Sequence, residues 1–140
     1  MNNIGFYIDL SNKEHVNIIN NILIPLKNKV DDISIFYNNI DSLTNNLQCG
    51  LFNSSALWHF SGKLFTMDLD ILSSASQIIN SIDLYYIYNK YDNSFNILKM
   101  FNFTFNYNIL SHIDDKVSIH RLVGTNKNVK YFNKYEDLAQ

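Results

Sequence analysis

Through its first two-thirds the chain alternates short apolar runs of strand-forming residues with segments whose apolar positions recur at helical spacing, and this alternation restricts the fold more than any other feature. Two strands joined through a helix run parallel, and a parallel sheet needs helices to cover its faces. Ile4 to Leu10 reads as the first buried strand. Ser11 to Glu14 spells a capping box, in which the Ser11 hydroxyl accepts from the Glu14 amide and the Glu14 side chain reaches back. Val16, Ile19, Ile22, Leu23 and Leu26 follow at helical spacing and predict a helix from about Asn12 to Lys29, which Pro25 kinks or ends. Ile33 to Tyr37 is a second strand, closed by Asn38-Asn39, and a polar loop then runs to Gly50. Asn53 caps a short helix over Ser54 to Phe60, which Gly62 breaks. Lys63 to Met67 is a third strand. Asp68-Leu69-Asp70 opens the next helix, with Asp70 at its N-cap and Ile71, Leu72, Ala75, Ile78, Ile79 and Ile82 as its apolar stripe. Leu84 to Tyr88 is a fourth strand, ended by Asn89-Lys90.

The last third carries two conflicting signals. Phe95 to Phe101 suits a helix, yet Phe101, Phe103, Phe105 and Tyr107 alternate with Asn102, Thr104, Asn106 and Asn108, which is the period of a strand. We expect helix through about Asn102 and a strand within 116–123, followed by a turn at Gly124 to Asn126. The alternative is an antiparallel ribbon of 101–109 with 116–123. The expected fold is an α/β three-layer sandwich, Rossmann-like or flavodoxin-like, around a mainly parallel sheet of about five strands. Residues 1–140 show no internal repeat and no Pro/Gly-rich linker, so a single α/β domain is expected.

Composition then removes function classes. The apolar share of 46% supports a real core, and the charged share of 17% is low, so Asn, Ser and Tyr take over much of the surface. A net charge of −2 and a single arginine, Arg121, argue against nucleic acid, which demands clustered cations. Lys127, Lys130 and Lys134 make the nearest cluster, and a solvated face explains them as well. Cys49 stands alone, which points to a reducing, cytoplasmic compartment (the host cytoplasm for a viral chain). No run has the length of a membrane span, and Asp9 interrupts the apolar N-terminal stretch, unlike a signal peptide.

In open α/β sheets ligands bind outside the carboxyl ends of the strands. Here those ends carry Asp9 and Ser11, then Asn38, Asn39 and Asp41, then Thr66 and Asp68, then Asn89, with Ser54 and Ser55 at a helix start. Small polar residues converging on one edge suit a polar or phosphorylated small molecule, such as a nucleotide or nucleotide-sugar. The same residues also cap helices and close turns everywhere. Asp68 and Asp70, an Asp-x-Asp at the end of an apolar strand, could hold Mg²⁺ or Mn²⁺ through hard oxygen ligands, or could simply favour the positive end of a helix. The four glycines cannot write a dinucleotide fingerprint or a Walker loop, and His15, His59, His112 and His120 lack zinc spacing. Cys49 and the serines lack a nucleophile signature, so whether the chain is an enzyme stays open. Trp58 and the many Tyr and Phe residues leave a second reading: a non-enzymatic viral accessory protein binding a host or virion protein. An uncovered edge strand also leaves room for a homodimer.

Two stretches, Ile35-Phe36-Tyr37-Asn38-Asn39 and Cys49-Gly50-Leu51-Phe52-Asn53-Ser54-Ser55-Ala56-Leu57-Trp58 leading into Phe60-Ser61-Gly62, resemble small proteins of contractile-tailed marine cyanophages. The resemblance covers roughly residues 30–90 and implies no activity. Asp68-Leu69-Asp70 resembles the metal-binding motif of nucleotide-sugar glycosyltransferases, and the layout is similar to the first half of a two-domain member of that class. That likeness implies a nucleotide-sugar ligand and a divalent cation on Asp68 and Asp70.

Overall fold

The computed structural model describes residues 3–30, 32–40, 50–77, 82–123 and 129–139. Seven parallel strands form one sheet in the order β3-β2-β1-β4-β5-β6-β7. The strands are β1 (Asn3–Leu10), β2 (Asp32–Ile40), β3 (Gly50–Asn53), β4 (Gly62–Thr66), β5 (Ile82–Ile87), β6 (Asn108–His112) and β7 (Val129–Phe132). The helices are α1 (Lys13–Leu26), α2 (Leu69–Ala75), α3 (Ile97–Asn106) and α4 (Lys116–Val123). The expected Rossmann-like or flavodoxin-like class is therefore the observed one, with seven strands in place of about five.

The two faces of β1 explain the layering. Ile4, Phe6, Ile8 and Leu10 alternate onto one face, where they pack with Val16, Ile19, Ile22, Leu23 and Leu26 of α1. Tyr7 points to the other face and joins Leu64, Ile71 and Ala75 beneath α2. Farther along that face, Tyr86, Met100, Ile109 and Ile119 bring α3 and α4 onto β5 and β6. Gly5 lies where a side chain would strike the Phe60 ring, with its nearest carbon only 2.9 Å from an added Cβ, so the aromatic cover of β1 needs glycine there.

Several expectations are corrected. Residues 116–123 form α4, not a strand, and residues 101–106 belong to α3, not to an antiparallel ribbon. α2 ends at Ala75, and Ile82 opens β5 instead of extending the helix stripe. The short β3 and β7 were not anticipated. Ser54–His59 is a 3-10 turn. Asp41, Cys49, Ile78, Ile79 and the turn at 124–126 lie outside the described residues.

Candidate functional site

The strand order departs from β1 in both directions, through β2 and β3 on one side and β4 to β7 on the other. Connections leave the carboxyl ends of β1 and β4 to opposite faces, which opens a crevice between them. A cavity of about 320 Å³ occupies that crevice, lined by Asp9, Asn12, Asn38, Asp68, Asp70, Ile71, Asn93 and Ser94. Its β1–β2 wall is shaped by a bulge. Ile8 pairs with Tyr37 but Leu10 pairs with Ile40, so β2 holds one extra residue beside Asp9 and Asn38.

Each side chain is set by its local structure. Asp9 Oδ1 accepts from the Ser11 amide at 3.0 Å and from the Ser11 hydroxyl. Asn12, not Ser11, caps α1: its Oδ1 accepts from the Glu14 and His15 amides, and its Nδ2 donates to the Tyr91 carbonyl at 3.2 Å. The cap is thus displaced by one residue, from Ser11 to Asn12, and Ser11 is spent on Asp9. Asp68 is the N-cap residue of α2 yet makes no capping bond. The first amides of that helix are satisfied from across the cleft, Leu69 N donating to Asp92 Oδ2 at 3.0 Å and Asp70 N to Ser94 Oγ at 3.1 Å. This releases the Asp68 carboxylate to turn inward. Asp70, expected as the cap, stands instead in the first turn, exposed and paired with Lys99 Nζ at 2.9 Å.

Beneath the cleft lies a buried polar cluster that sequence reading did not find. His15 is fully buried, with Nε2 2.8 Å from Asn89 Oδ1. The orientation of Asn89 follows from its other bonds: Nδ2 donates to the Met67 and Ile87 carbonyls, and Oδ1 also accepts from the Tyr91 amide. We infer that Nε2 carries a proton. His15 Nδ1 then faces Asp68 Oδ2 at 3.4 Å, and neither atom has a hydrogen-bond partner among the described residues. A bare nitrogen lone pair against a carboxylate would be repulsive, so this neighbour favours the doubly protonated ring of His15. Burial pushes the His15 ring down, but Asp68, Asn89 and Asp92 together carry it above its ordinary 6.5.

Asp92 receives four donors: Leu69 N and the Tyr86 hydroxyl on Oδ2, Ser94 N and Oγ on Oδ1. Burial raises its carboxyl above the ordinary 3.8, the Ser94 and Tyr86 bonds oppose that, and neighbouring Asp68 adds to it. Burial, with the charge of Asp92, in turn holds the Tyr86 hydroxyl protonated well above its usual range. The local signal for this cluster was present as Asp92-Asn93-Ser94, an Asx turn following Asn89. Nothing local in the sequence joined it to His15.

Of the expected ligand residues, Asp9 and Asn38 line the cleft, and Ser11 reaches it only through Asp9. The Asn39 side chain lies outside those described. Ser54 and Ser55 stand beyond edge strand β3, away from the cleft, and the Ser55 amide is already taken by Asn53. Asp68 and Asp70 share the cleft but hold different partners, His15 and Lys99. Among the described residues no three His, Cys, Asp or Glu side chains gather to hold a metal ion, so as placed they do not fit the divalent cation expected of the motif. No helix among the described residues is long and apolar enough to cross a membrane.

No family model, no curated protein and no solved structure matches the chain.

Proposed function

We propose that the chain binds a small polar molecule of the sugar, nucleoside or nucleotide-sugar class in the cleft between β1 and β4. The observation that carries this reading is the coincidence of a polar cavity with the point where the strand order reverses. Its volume, about 320 Å³, suits a monosaccharide or nucleoside. Asp9, Asp68 and Asp70 supply carboxylate acceptors for ligand hydroxyls, and the Asn38 and Asn93 amides can both donate and accept. No bond-breaking step is assigned; glycosyl transfer on a cation at Asp68 and Asp70 would first require Lys99 to leave Asp70.

The test is a thermal-shift screen against sugars, nucleosides and nucleotide-sugars, with and without Mn²⁺. A ligand at about a hundred times its dissociation constant adds about 2.7 kcal/mol, roughly 8 °C in melting temperature for a domain of this size. A hit that is lost in Asp9→Ala supports the reading. No hit, or a hit indifferent to Asp9→Ala, refutes it.

A second reading has its own observation. Ile97, Leu98, Ile113 and Val117 are exposed at the starts of the segments that follow β5 and β6. Exposed apolar side chains on neighbouring connections suit a protein partner, including a second copy of the chain. Sedimentation of the wild type and of Leu98→Asp with Val117→Asp separates these cases: association in the wild type alone supports the homodimer, and a monomer in both removes it.

A further inference from the structure

We infer that His15 and Asp68 form a protonation switch beneath the cleft. While the ring is charged it holds the Asp68 carboxylate inward. When the ring is neutral the carboxylate swings outward, into the cleft wall, and caps α2 at the Ile71 amide.

The outward position is already prepared. Asp68 has the extended backbone of an N-cap residue, φ −126° and ψ 136°, and its carbonyl accepts the first bond of α2 from Leu72 N at 2.9 Å. From that backbone an Asp side chain ordinarily accepts from the second or third amide of the helix. Here it makes no such bond. The Asp70 amide is taken by Ser94 Oγ, but the amide of Ile71, which lines the same cleft, meets no acceptor among the described residues. Rotation of the Asp68 side chain alone would form the cap.

The buried ring is what holds the carboxylate away from it. His15 Nε2–H is fixed by Asn89 Oδ1, so the proton that the ring gains or loses is the one on Nδ1, facing Asp68 Oδ2 at 3.4 Å. With that proton present the two form an ion pair in a site where the Asp68 side chain is only 11% exposed. Without it a lone pair faces a carboxylate, and neighbouring Asp92 adds a second like charge. Swinging outward relieves both repulsions and gains the Ile71 amide. The groups that face the ring are Asp68 from the β4–α2 junction, and Asn89 and Asp92 from the turn after β5. Tyr86 on β5 donates to Asp92 and stays protonated, Asp9 at the end of β1 is held by Ser11, and Lys13 and Glu14 on α1 itself are exposed. Burial draws the ring's proton off, but Asp68, Asn89 and Asp92 outweigh it, so the change of state falls above the ordinary 6.5.

The switch is read by NMR of the full chain, without ligand, from about pH 5.5 to about pH 8.5. The ring nitrogens report the charge on His15, and the Ile71 amide reports the cap. As the ring loses its proton, the Ile71 amide proton is expected to move downfield and to gain protection from hydrogen exchange, with the same midpoint. Asp68→Asn is expected to lower the ring midpoint by about one pH unit, the low end of what an opposite charge at this range contributes, and to abolish the Ile71 response. His15→Gln is expected to abolish that response too, and Asp68→Asn decides alone where the buried substitution does not fold. An Ile71 amide that keeps its shift and exchange rate while the ring titrates leaves Asp68 inward and overturns the switch. A ring that never changes charge over the interval, or whose midpoint is unmoved in Asp68→Asn, overturns it as well. Because no ligand is present, failure of the switch leaves the reading of the cleft to its own screen.

Discussion

At the scale of single residues, the buried cluster under the cleft is the most consequential feature of the chain. Asn89 satisfies two backbone carbonyls, one amide and a histidine from a buried position, so no apolar side chain can replace it. Asn89→Leu is expected to cost about 3 kcal/mol in urea denaturation, because several buried polar groups lose their partner together. A loss under about 1 kcal/mol would mean that water replaces it. The raised His15 and Asp92 groups both bind protons more tightly in the fold than in the open chain. Their contribution is therefore complete below the unfolded values and declines as pH rises through the folded ones. For His15 that decline begins near its ordinary 6.5, and for Asp92 near 3.8. The melting temperature is expected to fall between about pH 6 and pH 8, and His15→Gln to flatten that fall. Rising stability over the same interval, or an unchanged slope in the variant, would contradict the raised affinity of His15 for its proton.

At the scale of elements, what was legible followed from local pattern, and what was not depended on distant partners. β1, α1, β2, β4 and the start of α2 declare themselves through periodicity and polar ends, and so did the location of Asp9, Asn38, Asp68 and Asp70 along one edge. The helix expected through about Asn102 runs on to Asn106 despite the strand-like alternation of Phe and Asn, because a helix there carries the chain from β5 to the parallel β6, and Asn96 caps its first turn. α4 holds β-branched residues but plays the same part between β6 and β7, with Ile119 as its buried contact. β3 and β7 are four residues each, too short for any pattern, and exist because β2 and β6 offer them an edge. His15 was invisible as a site residue since only the fold brings it to Asp68 and Asn89. Gly62 opens β4 at a φ of +133°, and an added Cβ would lie 2.5 Å from the Asn3 carbonyl oxygen. Gly62→Ala is expected to destabilise by about 3 kcal/mol, through backbone strain and displacement of β1. Near-wild-type stability on chemical denaturation would show that the β1–β4 start tolerates rearrangement.

At the scale of the whole molecule, one topological fact organises the rest: the sheet grows in both directions from β1, and the polar cavity lies where the directions diverge. The central claim is that this crevice is where a ligand binds. Amide-resolved NMR of the full chain titrated with the sugar and nucleoside panel tests it most directly. The account predicts shifts clustered at Asp9 to Asn12, at Asp68 to Ile71 and at Asn89 to Ser94, with little change along Ser54 to Phe60. Shifts confined to the Ser54 region or to the exposed starts of α3 and α4, or no shifts at all, would contradict it.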